Sequence, residues 1–509
     1  YGSDGIGGVI NIITKKPGDE LSFTASLTSR FLLAYDNPNT EESPSPFEKD
    51  LFDPLREQIA AASLGLPIGV SRNTFSIEGS RAGEYLNEGK TAAVLPRYYR
   101  GKAALDTVFP LGDSAEMSAG GSFMAMRSDE RTDAKGSFTR KDYIRADAYL
   151  EMELSSFTGT NINIRLYDNY YRRNKDDYSA LTNKWGGGDY DNENYAALEA
   201  MGTYDGVENW IFTAGMEGAV NTLDKYNIRK DGIIMVDKEA LFFQAEWFRV
   251  NTFSLLGGIR LERNSQFGFA PAPKVSAMYH LGRGWRILGG AGLGYRAPSF
   301  TDLYVTMDDA VVSGHPTVLG NENLKPEYAL GFNLGLEYSK PGLFSARING
   351  YYSELWNEIA YVFQGYGGSG SEIHMNENIY RSLRTGFDTE GRLDFLKYWY
   401  VSLGYSWLFA WDRSEQTELH LQPSHTAKGK AGFEHSGSGI STYLQGRFFS
   451  PLDPDNPSYD PRFILDLYVS VAAGKHFKIH AGIDNILGEI NSLGPVTAQT
   501  FYLGLKYSL

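Results

Sequence analysis

Period-two alternation of apolar and polar residues runs through almost the whole chain beyond Glu20. It is plainest at the C-terminus, where Phe501, Leu503, Leu505, Tyr507 and Leu509 share one face and Tyr502, Gly504, Lys506 and Ser508 the other. The same split sets Tyr328, Leu330, Phe332, Leu334, Leu336 and Tyr338 against Ala329, Gly331, Asn333, Gly335 and Glu337. It sets Phe253, Leu255, Ile259 and Leu261 against Ser254, Arg260 and Glu262, and Phe463, Leu465, Leu467, Val469 and Val471 against Asp466, Tyr468 and Ser470. Successive side chains of a strand point to opposite faces, so each run predicts a strand with one apolar and one polar face. The runs last about 10 to 16 residues, whereas strands of soluble sandwiches average about 5 to 6 and a tilted bilayer crossing needs about 10. Aromatic pairs near the run ends, Tyr98-Tyr99, Tyr170-Tyr171, Tyr351-Tyr352 and Phe448-Phe449, fit girdles at the two membrane interfaces.

The runs number about 22, the range of large plugged barrels. Short connections at residues 70–73, 112–113, 155–159, 205–206, 282–284, 340–342, 436–439 and 474–476 alternate with long polar ones at 32–54, 129–140, 174–192, 299–326, 364–379, 412–424 and 451–461. A membrane barrel makes this asymmetry, with turns in the periplasm and loops outside. The fold class predicted is therefore all-β, a transmembrane antiparallel barrel.

Composition narrows the function. No stretch of about 18 apolar residues occurs, which excludes a transmembrane helix and leaves a barrel open. There is no cysteine, hence no disulfide framework and no thiolate chemistry. A net charge of -14 argues against a nucleic-acid partner. The sequence carries no HExxH, no Walker loop and no nucleophile elbow between strand and helix, so no enzyme is expected. The chain opens at Tyr1 without Met, a basic region or an apolar stretch, and residues 1–14 (YGSDGIGGVINIIT) read as a Gly-rich turn feeding a buried strand. A fragment, or one part of a split protein, is the expectation.

Four segments together resemble the TonB-dependent outer-membrane receptor family. Residues 1–14 look like the end of its plug domain. Residues 294–299 (GYRAPS), followed by Leu303 and Tyr304, look like its FRAP-type box. Residues 321–327 (NENLKPE) look like its NPNL-type box, with Glu322 where Pro is usual. Residues 481–487 (AGIDNIL) look like its C-terminal Asn-Leu-Phe box, with Ile486 and Leu487 substituted. The resemblance implies a 22-stranded barrel at residues 19–509, preceded by the plug tail and linker at 1–18. It implies import of a scarce chelate across the outer membrane of a diderm bacterium, by a monomer coupled to the TonB complex through a region ahead of this chain. Outer-membrane lipid and a surface lipoprotein are further partners it admits, and a passive pore is the alternative. Tyr295, Ala297, Pro298, Asn321, Asn323, Leu324 and Asn485 would be structural members of the boxes.

The cargo stays open between ferric siderophore, haem and cobalamin. His315, between the two boxes, is the candidate haem ligand, because neutral imidazole is a common axial ligand of iron. His374 and His420 lie on neighbouring loops and would converge with it. Siderophore receptors of the family instead use aromatics and arginine at the mouth, for which Arg296, Tyr304, Tyr361, Tyr366 and Trp411 are candidates. Asp176, Asp177, Asp189 and Asp191 offer hard oxygen ligands to loop calcium, although a solvated, self-repelling surface is the plainer reading.

Overall fold

Among the described residues, twenty-five strands join one sheet, and three of them, Thr306–Met307, Thr317–Leu319 and Thr417–Glu418, are two or three residues long and lie in connections. The other 22 form the wall of an antiparallel barrel. This computed structural model describes residues 15–32, 55–86, 93–133, 136–157, 159–226, 228, 232–250, 252–307, 317–366, 372–419, 422–453, 460–488 and 499–509. The barrel closes where the first strand, Ser22–Leu32, pairs with the last, Thr500–Ser508, in a register running from Thr24 opposite Ser508 to Leu32 opposite Thr500. Closure leaves no unpaired sheet edge for the bilayer core, where an unsatisfied backbone group costs several kcal/mol.

The alternation read from sequence sorts the two faces. Leu503, Leu505, Phe332, Leu334, Leu336, Leu255, Ile259, Leu261, Phe463, Val469 and Val471 are all exposed. Cross-strand register joins them into a continuous outer belt, for example Leu27 to Leu505 to Ile479 to Val471. Apolar side chains on the outside and charges within reverse a soluble fold and match a lipid solvent. The inner face is ionic. Arg260 bridges Glu217 and Glu262 at 3.0 Å each, and Arg30 bonds Asp484 at 2.9 Å. One row runs across the wall from Arg286 through Glu337, Arg347 and Glu390 to Lys428. Lys428 crosses Gly404 to reach Glu390, and a Cβ at Gly404 would meet its Cε at 2.5 Å, so any side chain there would push the lysine off this path.

Three connections expected as long loops are at least half strand. Residues 174–192 form the tip of a hairpin between Thr160–Ser179 and Lys184–Tyr204, with only 180–183 as the turn. Residues 364–379 belong mostly to Phe344–Tyr366 and Glu372–Phe395, and half of 129–140 belongs to Ala115–Arg131 and Phe138–Phe157. Above the belt both faces of a strand meet water, so the apolar alternation that identifies a strand disappears while the hydrogen-bond ladder continues. The stretch expected to be the last plug strand, residues 1–14, lies outside the described residues. Just after it, Lys16 reaches Glu116 and Glu153 on the wall, at 2.8 Å each. Burial works against its ammonium, and the two carboxylates outweigh it and hold its pKa above the ordinary lysine value.

Candidate functional site

Two adjacent wall strands, Trp285–Arg296 and Glu327–Lys340, are joined by residues 297–326, of which 297–307 and 317–326 are described and lie at the rim. Ser299 caps the helix Phe300–Tyr304 by accepting from the Asp302 N–H, and Asp302 accepts from the Ser299 N–H. This is the Ser-x-x-Asp capping box that the sequence carries. At the foot of the connection Arg296 and Glu327, cross-strand partners, make a two-pronged bond at 2.6 Å per prong. Asp302 lies 3.4 Å from the same guanidinium, and Glu327 also accepts from the Ile359 N–H at 2.7 Å. The buried Glu327 thereby ties the connection to the neighbouring hairpin.

Asparagines complete the fastening. Asn321 donates to the Asn376 carbonyl at 2.9 Å, and Asn376 donates to that of Asp302 at 3.0 Å. Asn378 bonds both the N–H and the carbonyl of Lys325. The Asn323 N–H bonds the Asn321 side chain at 3.0 Å, shaping the turn. Leu303, Tyr304, Leu324 and Ile234 form a buried cluster, and Tyr295, 0 % exposed, packs against Phe267 and Tyr328. Ala297 and Pro298 line a cavity of about 200 Å³ beside Arg296. At the far end of the chain, Asn485 takes a φ of 54° and donates its N–H to Asp466, which also holds Arg447. The box residues are thus placed as fasteners of the rim.

Among the sequence candidates for ligand contact, Arg296 is neutralised by carboxylates and Tyr304 lies in the buried cluster. Tyr361 and Tyr366 are exposed on the Phe344–Tyr366 hairpin, where His374 bonds Glu372 at 3.0 Å and stacks edge-on to Phe363. Trp411 shares the outward face of its strand with the exposed Leu403 and stacks on Phe409, so the structure puts it in the outer aromatic girdle rather than over the mouth. His315 and His420 lie outside the described residues. Three of the four loop acids are paired: Asp191 meets Arg173 at 2.5 Å and Lys225 at 3.5 Å, Asp189 meets Arg173 at 3.9 Å, and Asp177 meets Lys175. Among the described residues, no group of three or more His, Asp or Glu side chains is set to hold a metal ion.

The inner wall holds a further feature. On three adjacent strands, Phe138–Phe157, Thr160–Ser179 and Lys184–Tyr204, tyrosine and arginine alternate on the lumen face. Arg145 lies over Tyr171 at 5.9 Å, and Arg165 lies between Tyr149 and Tyr167 at 5.8 and 5.4 Å. Tyr143 packs on Tyr171, and Tyr167 on Tyr195. Arg145 and Arg165 have no ion pair among the described residues, in contrast to Arg296. Their signal in the sequence is the rare presence of tyrosine and arginine on the polar face of one run after another, at 143, 145, 149, 165, 167 and 171.

A closed, plug-sized barrel with an apolar exterior, an ionic interior and a fastened rim is the architecture of an outer-membrane receptor. The model of the TonB-dependent receptor-like β-barrel matches residues 60–486. The chain belongs to this family. Its location is the outer membrane, and its relatives are receptors and transporters rather than enzymes. An iron-regulated outer membrane virulence protein of Vibrio cholerae is 25 % identical over 373 residues, covering 71 % of this chain and 52 % of that protein. The vitamin B12 transporter BtuB of Photobacterium profundum is 27 % identical over 246 residues, covering 47 % and 37 %. The chain thus spans about half the length, or less, of these relatives. Among solved structures, the ferric enterobactin receptor PfeA of Pseudomonas aeruginosa in complex with enterobactin superposes with a TM-score of 0.83 at 15 % identity, over 100 % of this chain and 84 % of that one. At that identity the likeness concerns the fold.

Proposed function

We propose that the receptor imports an anionic, aromatic iron chelate of the ferric siderophore class, driven by TonB acting on a plug domain whose tail is residues 1–18. The observation that carries this reading is the Tyr–Arg ladder of the inner wall. Two guanidinium groups with no described carboxylate within ion-pair distance stand over tyrosine rings, Arg165 with Glu151 and Glu199 opposite it in register, a surface that suits flat aromatic rings bearing negative charge. The iron-regulated relative supports iron as the metal carried. Tyr361, Tyr366 and His374 on the outer hairpin would meet the chelate first, and Arg145 and Arg165 would hold it deeper. The iron travels as cargo, and release follows from unequal affinity between resting and TonB-pulled states. Outer-membrane lipid surrounds a single copy of the chain.

Competition binding to the full-length receptor in detergent tests the cargo, with a ferric tris-catecholate, haem and cyanocobalamin as probes. The catecholate should bind tightest, and Arg145→Ala/Arg165→Ala should weaken it by about a hundredfold, two charge-assisted contacts at about 1.5 kcal/mol each. Preference for cyanocobalamin, the cargo named for one relative, or for haem would overturn the assignment.

A further inference from the structure

The periplasmic half of the lumen is divided by charge. Beneath the Tyr–Arg ladder the wall is acidic: Glu151, Glu199 and Glu217 share one register row with Arg165, and Glu116 faces Glu153 in the row below. Glu199 stands directly across the strands from Glu217, and neither Glu151 nor Glu199 has an ion pair among the described residues. An anion leaving the ladder therefore meets like charge directly below it. Farther round the wall the sign reverses. Close to the turns at 283–284, 341–343, 396–398 and 436–439 the inner face carries a cavity of about 540 Å³, within the range of small-molecule sites. It opens upward into a hollow of about 650 Å³ over the same ion row, so it lies on a continuous path from the lumen to the periplasmic mouth.

Five cations line this cavity, Arg286, Arg347, Arg392, Lys428 and Lys430, against the carboxylates Glu337 and Glu390. Asp394, which bonds Arg392 at 2.9 Å, brings the carboxylates to three and still leaves a positive excess. Glu390 is shared, at 3.4 Å from Arg347 and 3.6 Å from Lys428, which stays 61 % exposed. The floor is the ring of Tyr400, folded across Gly432, where a Cβ would meet its Cε1 at 2.4 Å. Arg392 stands 4.0 Å over that ring, and Lys430 lies 5.9 Å from it and 3.6 Å over the ring of Tyr443. Lys430 has no ion pair among the described residues. Two ring faces fix its ammonium in place without neutralising it, which leaves a positioned positive charge for an anionic group that enters the pocket.

We propose that this pocket is an exit site, which takes the anionic chelate as it leaves the ladder and holds its oxygens against Lys428 and Lys430 at the periplasmic mouth. The inference rests on the cargo class proposed above. The test uses cells carrying the full-length gene and a radiolabelled ferric tris-catecholate, with binding read in the absence of TonB, uptake in its presence, and both normalised to folded receptor. Lys428→Gln/Lys430→Gln should leave binding within about twofold of wild type and lower uptake at least about tenfold. Lys428→Arg/Lys430→Arg keeps both charges and should retain wild-type uptake. Lys478→Gln/Lys506→Gln removes the same charge from two lumen lysines that pair across strands outside the pocket, and should leave both readings unchanged. If the double glutamine variant fails to assemble, Lys430→Gln alone carries that arm. Unchanged uptake in the glutamine variant, loss of uptake in the arginine variant, or an equal loss in the Lys478→Gln/Lys506→Gln control would overturn the proposal. So would a loss of binding parallel to that of uptake, which would make the pocket a seat for the plug domain. Failure of the wild type to bind the catecholate would instead sink the cargo reading, so the two failures are told apart.

Discussion

Leu334→Arg is expected to destabilise the receptor in lipid vesicles by about 2–4 kcal/mol, the cost of arginine near the midplane on the lipid face of a barrel. Leu334 is 66 % exposed and lies midway along Glu327–Lys340, flanked by Gly289 and Gly350 on the neighbouring strands. No neighbouring side chain shields it, so a charge there has only lipid to meet. Asn333→Arg, one residue away but directed into the ionic lumen, should shift stability by no more than about 1 kcal/mol. Equilibrium urea titration of vesicle-reconstituted protein, followed by heat-modifiable gel mobility, reads both. Equal costs for the two variants would contradict the assignment of faces.

Glu327→Ala should have an effect of similar size by a different route. Its carboxylate is 6 % exposed, holds Arg296 through both oxygens and also accepts the Ile359 N–H. Removing one partner of a buried pair costs about 3–5 kcal/mol, which the partial exposure of Arg296 at 35 % lowers to about 2–4. Glu327→Gln keeps an acceptor for Ile359 and should cost about half as much. The loss should be local, so proteolysis within residues 297–326 should quicken before the wall unfolds. A variant whose cleavage rate matches wild type would show that the carboxylate does not fasten the rim.

The fold was legible because a barrel wall writes itself into sequence twice, as alternation and as turn spacing. The runs at 328–338 and 501–509 gave the lipid face residue by residue, since lipid selects apolar side chains at every second position. Legibility failed where that selection stops. The Thr160–Ser179 and Lys184–Tyr204 hairpin rises past the belt, both its faces are polar, and it reads as a loop. The rim site was half legible. The boxes marked Arg296 and Asn321 as special, yet a motif does not say whether an arginine is free or neutralised, and Glu327 and Asn376 decide that from strands distant in sequence. Trp411 was misplaced for a simpler reason: near a strand end, parity decides between the lumen and the lipid face, and composition alone does not fix it. Arg145 and Arg165 stand on the polar faces of their runs in the sequence, but only register brings them over Tyr149, Tyr167 and Tyr171.

The central claim is energised import, and one measurement addresses it directly: uptake of radiolabelled iron as a ferric tris-catecholate by cells carrying the full-length gene, with and without a functional TonB. The account predicts accumulation that depends on TonB, collapses when the proton-motive force is dissipated, and falls in the Arg145→Ala/Arg165→Ala variant. Uptake that persists unchanged without TonB would contradict it and make the barrel a passive pore.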